Sequence, residues 1–319
     1  MNAARIFAAL AVGAFAVTGA LAQGYPAKPV RVMEPFGAGS GVDVMARAVT
    51  EKLSELWGQP VAVDNHAGAG GTVAPGLVAK SPPDGYTLLV NSSAHASAAL
   101  LTNLAYDPLK DFIPIAPLTT QPYVLVVGKP AGVKTIGELI AAAKARPGEL
   151  KFASAGTGTG THLGAEKFNL EAGITALHVP LVPAQATAET VSGSITYWLS
   201  PISLALPHVR EGRLLALGVS SARRSNILPD VPTIAEAGFA GFDYSIWYGM
   251  WAPAGTPADV VDKLAKDIAH ALAASDVRDK IAKFGADPMS MTQAEFARFV
   301  TSESESAARI IKAARIKPQ

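Results

Sequence analysis

The chain of 319 residues contains no cysteine, which excludes disulfides, thiolate zinc sites and cysteine nucleophiles together. It also lacks an excess of charge, with 27 Lys and Arg against 26 Asp and Glu. A neutral chain has no bulk electrostatic reason to seek nucleic acid or anionic lipid. Charged residues are few, 17% against 49% hydrophobic, a ratio that supplies a core and argues against extended disorder. Beyond residue 22 no run of 18 is free of both charge and helix breakers, so no spanning helix is expected there. The length fits one large or two medium domains.

What is there begins with an address. Residues 1–23 (MNAARIFAALAVGAFAVTGALAQ) hold one cation, Arg5, an apolar run over 6–17, and the triplet Ala20-Leu21-Ala22. That is the pattern of a secretory signal peptide, residues 1–22, cleaved after Ala22. The competing reading is an N-terminal anchor, but the stretch is rich in Ala and Gly and falls short of the ~20 residues of a spanning helix. Without a Cys after the cleavage site a lipid anchor is excluded. Removing Arg5 leaves 26 cations against 26 anions.

The mature chain alternates strand and helix patterns. A β-rich run over 29–35 leads to a Gly-rich loop, and Val42, Ala46, Val49, Leu53 and Leu56 then follow at helical spacing up to Gly58. Strands are expected over 60–64, 86–91, 123–127, 150–154 and 176–179, with helices over 72–80, 135–145 and 162–172 between them. The last seventy residues read as helices over 258–274, 276–284 and 293–314, the last with Thr292 as N-cap. Such alternation predicts an α/β fold of two doubly wound lobes with a cleft between them. Lobe 1 is expected over 23–122 with 250–319, lobe 2 over 123–249, with crossings near 118–128 and 244–252. No internal sequence repeat is visible.

Three Gly-rich loops, 37–42 (GAGSGV), 68–73 (GAGGTV) and 156–161 (GTGTGT), each lie between a strand and a helix, where open α/β sheets bind ligands. None has the sixth-place glycine of a dinucleotide fingerprint or the Gly-Lys-Ser/Thr of a P-loop, so nucleotide cofactors are disfavoured. A helix N-terminus still offers unpaired N–H groups suited to a carboxylate, and Ser40, Thr157, Thr159 and Thr161 add hydroxyls. The alternative is that these are ordinary turn glycines. Catalytic patterns are poor: Ser40 has Ala38 and Val42 where a hydrolase elbow needs glycines. The six histidines show no metal-binding pair, so neither metal nor cofactor is expected. His162, opening a helix, either donates to a ligand or simply packs and caps. Asp43 needs only its first-turn position to explain it.

The order of motifs resembles one family. Residues 25–29 (YPAKP), Pro35-Phe36 with its loop to Asp43, 65–71, 83–89 (PDGYTLL), 106–112 (YDPLKDF), 153–162 (ASAGTGTGTH), 228–233 (LPDVPT), 247–249 (WYG) and 252–257 (APAGTP) recur in sequence. Together they resemble the Bug, or TctC-like, family of periplasmic substrate-binding proteins of tripartite tricarboxylate transport systems. The resemblance implies a type II periplasmic-binding-protein architecture with Venus-flytrap closure, a periplasmic location and a monomer. It implies a small carboxylate as ligand and delivery to permease subunits, with a sensor kinase as the alternative partner.

Carried over by position, the first-lobe clamp is Phe36, Gly37, Ala38, Gly39, Ser40 and Gly41, and the second-lobe clamp is Thr157, Gly158, Thr159 and His162. Gly70, Asn91 and Ser92 are implied to lie on the first-lobe wall, and Trp247 and Tyr248 near the crossing. Two acidic positions of many relatives are Tyr197 and Pro201 here, which argues against an ammonium-bearing ligand. Trp198, Trp247 and Tyr248 are then expected to frame an apolar or aromatic dicarboxylate such as terephthalate, unless Trp198 fills the lobe 2 core. Glu34 also departs from the apolar strand end usual in the family. The rival reading from another class is a periplasmic hydrolase or isomerase using Ser40 with His162.

Overall fold

The computed structural model describes residues 24–68 and 71–318; the expected signal peptide and Gly70 lie outside the described residues. In chain order the elements are β1 (Val30–Glu34), α1 (Gly41–Trp57), β2 (Val61–Asn65), α2 (Val73–Val78), β3 (Thr87–Ser92), α3 (Ala94–Ser97) and β4 (Phe112–Gly128). Then follow α4 (Ile136–Ala145), β5 (Lys151–Ser154), α5 (Gly160–Ala172), β6 (Leu177–Pro180), α6 (Pro183–Ser192), β7 (Tyr197–Pro201), α7 (Ile202–Arg210) and β8 (Leu214–Val219). The chain ends with β9 (Ser245–Pro253), α8 (Ala258–Ala273), α9 (Ser275–Lys283), β10 (Asp287–Pro288) and α10 (Gln293–Ala313).

Two half-sheets share one strand. In the first, β2, β1 and β3 run parallel, β9 pairs antiparallel with β3, and residues 112–122 of β4 pair antiparallel with β9. In the second, β6, β5 and β7 run parallel, and residues 123–128 of β4 lie antiparallel between β7 and β8. The two-lobed α/β fold expected from the strand–helix alternation is what forms.

Local sequence explains the elements. Helix α1 buries Val42, Met45, Ala46, Val49 and Leu53, one three-and-four stripe, and ends at Gly58 with φ 60°. Helix α10 opens on a capping box between Thr292 and Glu295. Strand β4 is less obvious, because Pro114, Pro117 and Pro122 interrupt it. Its register with β9 slips beside the first two of these, since proline has no N–H for the ladder. That is why only residues 123–127 read as a strand.

Helices α1, α8 and α9 cover one face of the first half-sheet, with Met45, Leu264 and Ile268 in the core. The other face packs Trp247 and Trp251 against Phe296 and Val300 of α10. In the second half-sheet, α4 and α5 cover one face and α6 and α7 the other.

Two expectations are corrected. Residues 245–249, assigned to lobe 2 by the sequence, pair with β3 and β4 in the first half-sheet, because β9 is continuous from Ser245. Nor does α10 pack on one lobe alone: Ala307 and Ile310 rest on Leu163 of α5.

Candidate functional site

The first Gly-rich loop joins β1 to α1. Gly39 has φ 82°, a left-handed conformation open to glycine at no steric cost. The chain then turns so that Ser40 caps the helix, its Oγ accepting the Asp43 N–H at 3.2 Å. The Asp43 carboxylate in turn accepts the Gly39 N–H at 2.9 Å. The N–H groups of Gly41 and Val42 have no acceptor among the described residues.

The third Gly-rich loop, the second of the two lobe clamps and so called the second loop, lies between β5 and α5 and repeats this backbone. Gly158 has φ 79°. The cap residue Ser40 sits at φ −65°, ψ 162° and Thr159 at φ −68°, ψ 161°. In the place of Asp43 stands His162, whose Nδ1 accepts the Gly158 N–H at 3.0 Å. Again the first two helical N–H groups, of Gly160 and Thr161, have no acceptor among the described residues. Each loop can therefore present paired donors at the positive end of a helix, an arrangement suited to an anion.

A tyrosine hydroxyl stands over each helix start. A Cβ on Gly41 would overlap Oη of Tyr248, and one on Gly160 would overlap Oη of Tyr123, so each position requires glycine. Tyr248 on β9 faces Ser92 of β3, and Tyr123 on β4 faces Pro201 of β7. Strand for strand these are equivalent places, so the two halves approximate a two-fold arrangement. Both rings are buried, and neither hydroxyl is hydrogen-bonded to a described residue. Burial, and then the nearby Tyr244 and Tyr248 hydroxyls, raise the Tyr123 pKa well above its ordinary value. The two tyrosines thus bring both helix starts to one junction.

Behind the first loop lies a polar network. Glu34 is fully buried; its Oε2 accepts the Phe36 N–H at 2.9 Å and its Oε1 takes a short hydrogen bond from Asn65 Nδ2. The same amide nitrogen donates to Asp43 Oδ1 at 2.9 Å. Arg47 donates through Nε to Asp43 Oδ1 at 2.9 Å and through Nη2 to Asn65 Oδ1 at 3.0 Å. Burial pushes the Glu34 carboxyl up to about 7, against the lowering effect of the Phe36 and Asn65 hydrogen bonds. Burial would raise Asp43 also, but hydrogen bonds from Arg47, Gly39 and Asn65 hold it below the usual range.

The sequence-predicted residues divide. Gly37, Ala38 and Gly39 are exposed, while Phe36, Ser40, Gly41, Thr157, Gly158 and Thr159 are half-buried on their loops. Asn91 and Ser92 are buried at the end of β3 and serve the local backbone: Asn91 Oδ1 accepts the Ser92 N–H, and Ser92 Oγ the Ala94 N–H. His162 offers no donor through Nδ1. Its Nδ1 is taken by Gly158, and its ring is buried and stacked on His178 at 3.7 Å. Burial, and then His178, lower its pKa to about 3, so it is neutral and its proton sits on Nε2, 3.8 Å from Glu166.

Trp198 does not frame a ligand either. It is fully buried among Val124, Ile202 and Ala205, because β7 is covered on both faces. Trp247 packs on Trp251, Phe296 and Phe299 and donates its indole N–H to Glu303 at 2.9 Å. Tyr197 turns inward, its hydroxyl on Asn169 at 2.6 Å, so only Pro201, at the cap of α7, lies at a strand end facing the junction. Ser40 and His162 are committed to their own loops and do not pair. The Ser–His contact present is Ser154 Oγ to His178 Nε2, 2.6 Å, between a fully buried serine and a half-buried ring under the second loop.

Sequence reasoning missed three features. Tyr123 is one, although it lies in the expected crossing. A cavity of about 700 Å³ is another, running along the junction past Ser93, Gly160, Leu163, Tyr244, Trp247 and Glu303; the first loop does not line it. Leu101 is the third: it comes from the first-lobe segment after α3 and packs so closely on Gly158 that a Cβ there would lie 2.6 Å from its Cδ1.

Comparison with known proteins gives the family and the fold. The sequence pattern of the family described as the tripartite tricarboxylate transporter family receptor, TctC, matches residues 45–316. Protein BugT of Bordetella pertussis is 35% identical over 321 residues, 98% of each chain. The solved structure of R. palustris Rpa4515 with adipate superposes with a TM-score of 0.83 at 30% identity, covering 92% of this chain and 100% of that one. MatC from Rhodopseudomonas palustris with bound malate gives 0.78 at 34%, covering 90% and 100%. The chain therefore belongs to the TctC, or Bug, family of solute-binding receptors, which are not enzymes.

Proposed function

We propose that the protein captures a small dicarboxylate in the periplasm and delivers it to the permease of a tripartite tricarboxylate transporter. The observation that carries this reading is the matched pair of helix starts, four donor N–H groups and two tyrosine hydroxyls meeting at one junction. Six hydrogen bonds at about 0.5–1.5 kcal/mol each supply roughly 3–9 kcal/mol, the upper end of which matches the ~8 kcal/mol of a micromolar complex before association costs are subtracted. No Lys or Arg is needed, in keeping with the balanced charge. Adipate in one relative and malate in another support the ligand class.

The ligand body we assign is apolar. Leu181 and the exposed Val182 follow β6 beside the second loop, the Leu181 N–H donating to Ser154 O at 2.9 Å. Pro201 offers no carboxylate for an ammonium group. Adipate and benzene-1,4-dicarboxylate fit that description better than an acidic amino acid, although with Trp198 in the core the aromatic preference rests on Trp247 and Tyr248 alone. A thermal-shift screen of the mature chain tests this. A ligand at a hundredfold its dissociation constant adds about 2.7 kcal/mol of stability. Stabilisation by adipate or benzene-1,4-dicarboxylate and none by glutamate is expected; stabilisation by amino acids or sugars but by no dicarboxylate overturns the reading.

A further inference from the structure

Resting on the carboxylate reading, we infer that Glu34 is a positioning residue of the first loop and carries a proton whenever a carboxylate is bound there. Glu34 has no contact with solvent, and its two oxygens hold the loop from behind, one on the Phe36 N–H and one on Asn65. Asn65 passes the constraint on to Asp43, and Asp43 fixes Gly39. The loop's shape is thus set by two buried carboxyl groups joined through one amide.

The charge balance then decides the protonation state. From α1, Asp43 and Arg47 face this network; from β2 comes the neutral Asn65, and His66 follows it, its N–H on Glu34 O at 2.8 Å. Asp64 is turned away onto Arg31. Strand β3 and helix α2 carry no titratable side chain. With Glu34 ionised the cluster holds two anions and the single cation of Arg47. With Glu34 protonated, Asp43 and Arg47 cancel. A ligand carboxylate at the neighbouring N–H groups repels an ionised Glu34 across a dry interior and is tolerated by the neutral acid, whose carbonyl oxygen still accepts an N–H. The raised pKa of about 7 places this exchange near neutrality. Lobe 2 has no counterpart, since neutral His162 stands in the place of Asp43 and Ser154 in the place of Glu34.

The test is calorimetric titration of the mature protein with adipate and benzene-1,4-dicarboxylate from pH 6 to 8.5, in two buffers of different ionisation enthalpy. Proton uptake on binding is expected, with affinity falling toward about tenfold per pH unit above pH 7. Glu34→Gln, which keeps an acceptor for Phe36, should lose both the uptake and the slope, whereas His66→Asn should keep them. Wild-type binding without proton uptake overturns the inference and leaves the carboxylate reading standing. So does a Glu34→Gln protein that keeps the wild-type slope. Failure of both probes to bind at any pH overturns the carboxylate reading and this inference with it.

Discussion

Asp43 and His162 make the same bond from opposite lobes, each accepting the N–H of the glycine four residues before it, at 2.9 and 3.0 Å. The backbone of the two loops is alike and the chemistry behind them is not. One acceptor is a carboxylate held by Arg47 and Asn65; the other is a neutral ring in an aromatic stack with His178 and Phe152.

His162→Leu removes the acceptor while filling the space. The second loop then loses one hydrogen bond, and the dicarboxylate dissociation constant should rise about two- to tenfold. Circular dichroism should stay native. An unchanged constant by calorimetry would show that the loop holds its shape without His162.

Tyr123→Phe and Tyr248→Phe delete only a hydroxyl. Each should weaken dicarboxylate binding by about two- to tenfold with little change in melting temperature. Gly160→Ala should do more, since its Cβ displaces the Tyr123 hydroxyl. Binding by both phenylalanine variants at wild-type affinity would remove the tyrosines from the site.

Trp198→Ala leaves a cavity in a dry core and should cost about 3–5 kcal/mol in urea unfolding. The rank order of ligands should not move. A changed rank order would return this indole to the ligand.

Acid should destabilise the fold through buried histidines. Burial lowers His95 and His162 to about 3 and His178 to about 4. Below the ordinary value of about 6.5 the unfolded chain takes up protons that the folded chain refuses. Their contribution is whole above pH 6.5 and is lost as the pH falls toward 4 and 3. Glu34 works in the opposite sense: its stability is whole below about 4.5 and lost as the pH rises to 7. His95, both ring nitrogens unpartnered between Phe112 and Trp251, is the simplest test. His95→Phe should raise stability by at least about 1 kcal/mol and flatten the acid limb of the melting curve.

Much of this was legible in the residues. The stripe from Val42 to Leu53, the Thr292 cap and the Gly-rich loops at 37–42 and 156–161 appear where spacing places them, because local propensity and burial agree there. The first part of β4 was hidden by its prolines, which only tertiary pairing accommodates. The equivalence of the loops was hidden because it lives in φ and ψ: Gly39 and Gly158 match, while Asp43 and His162 share no chemical type. Trp198 could frame a ligand or fill the lobe 2 core by its sequence alone, because nothing local says that both faces of β7 are covered. Glu34 stood out as a departure, and its partner Asn65 could not be known before β2 was placed beside β1.

The shared strand has a consequence for how the molecule comes apart. Dividing β4 between Pro122 and Tyr123 would sever the strand that runs through both half-sheets. The α10 helix, resting on Trp247 at one end and Leu163 at the other, would lose half its footing as well. The lobes are therefore not separable domains joined by a tether. They constitute one cooperative unit, so a scanning calorimeter should record a single transition, and neither lobe expressed alone should refold.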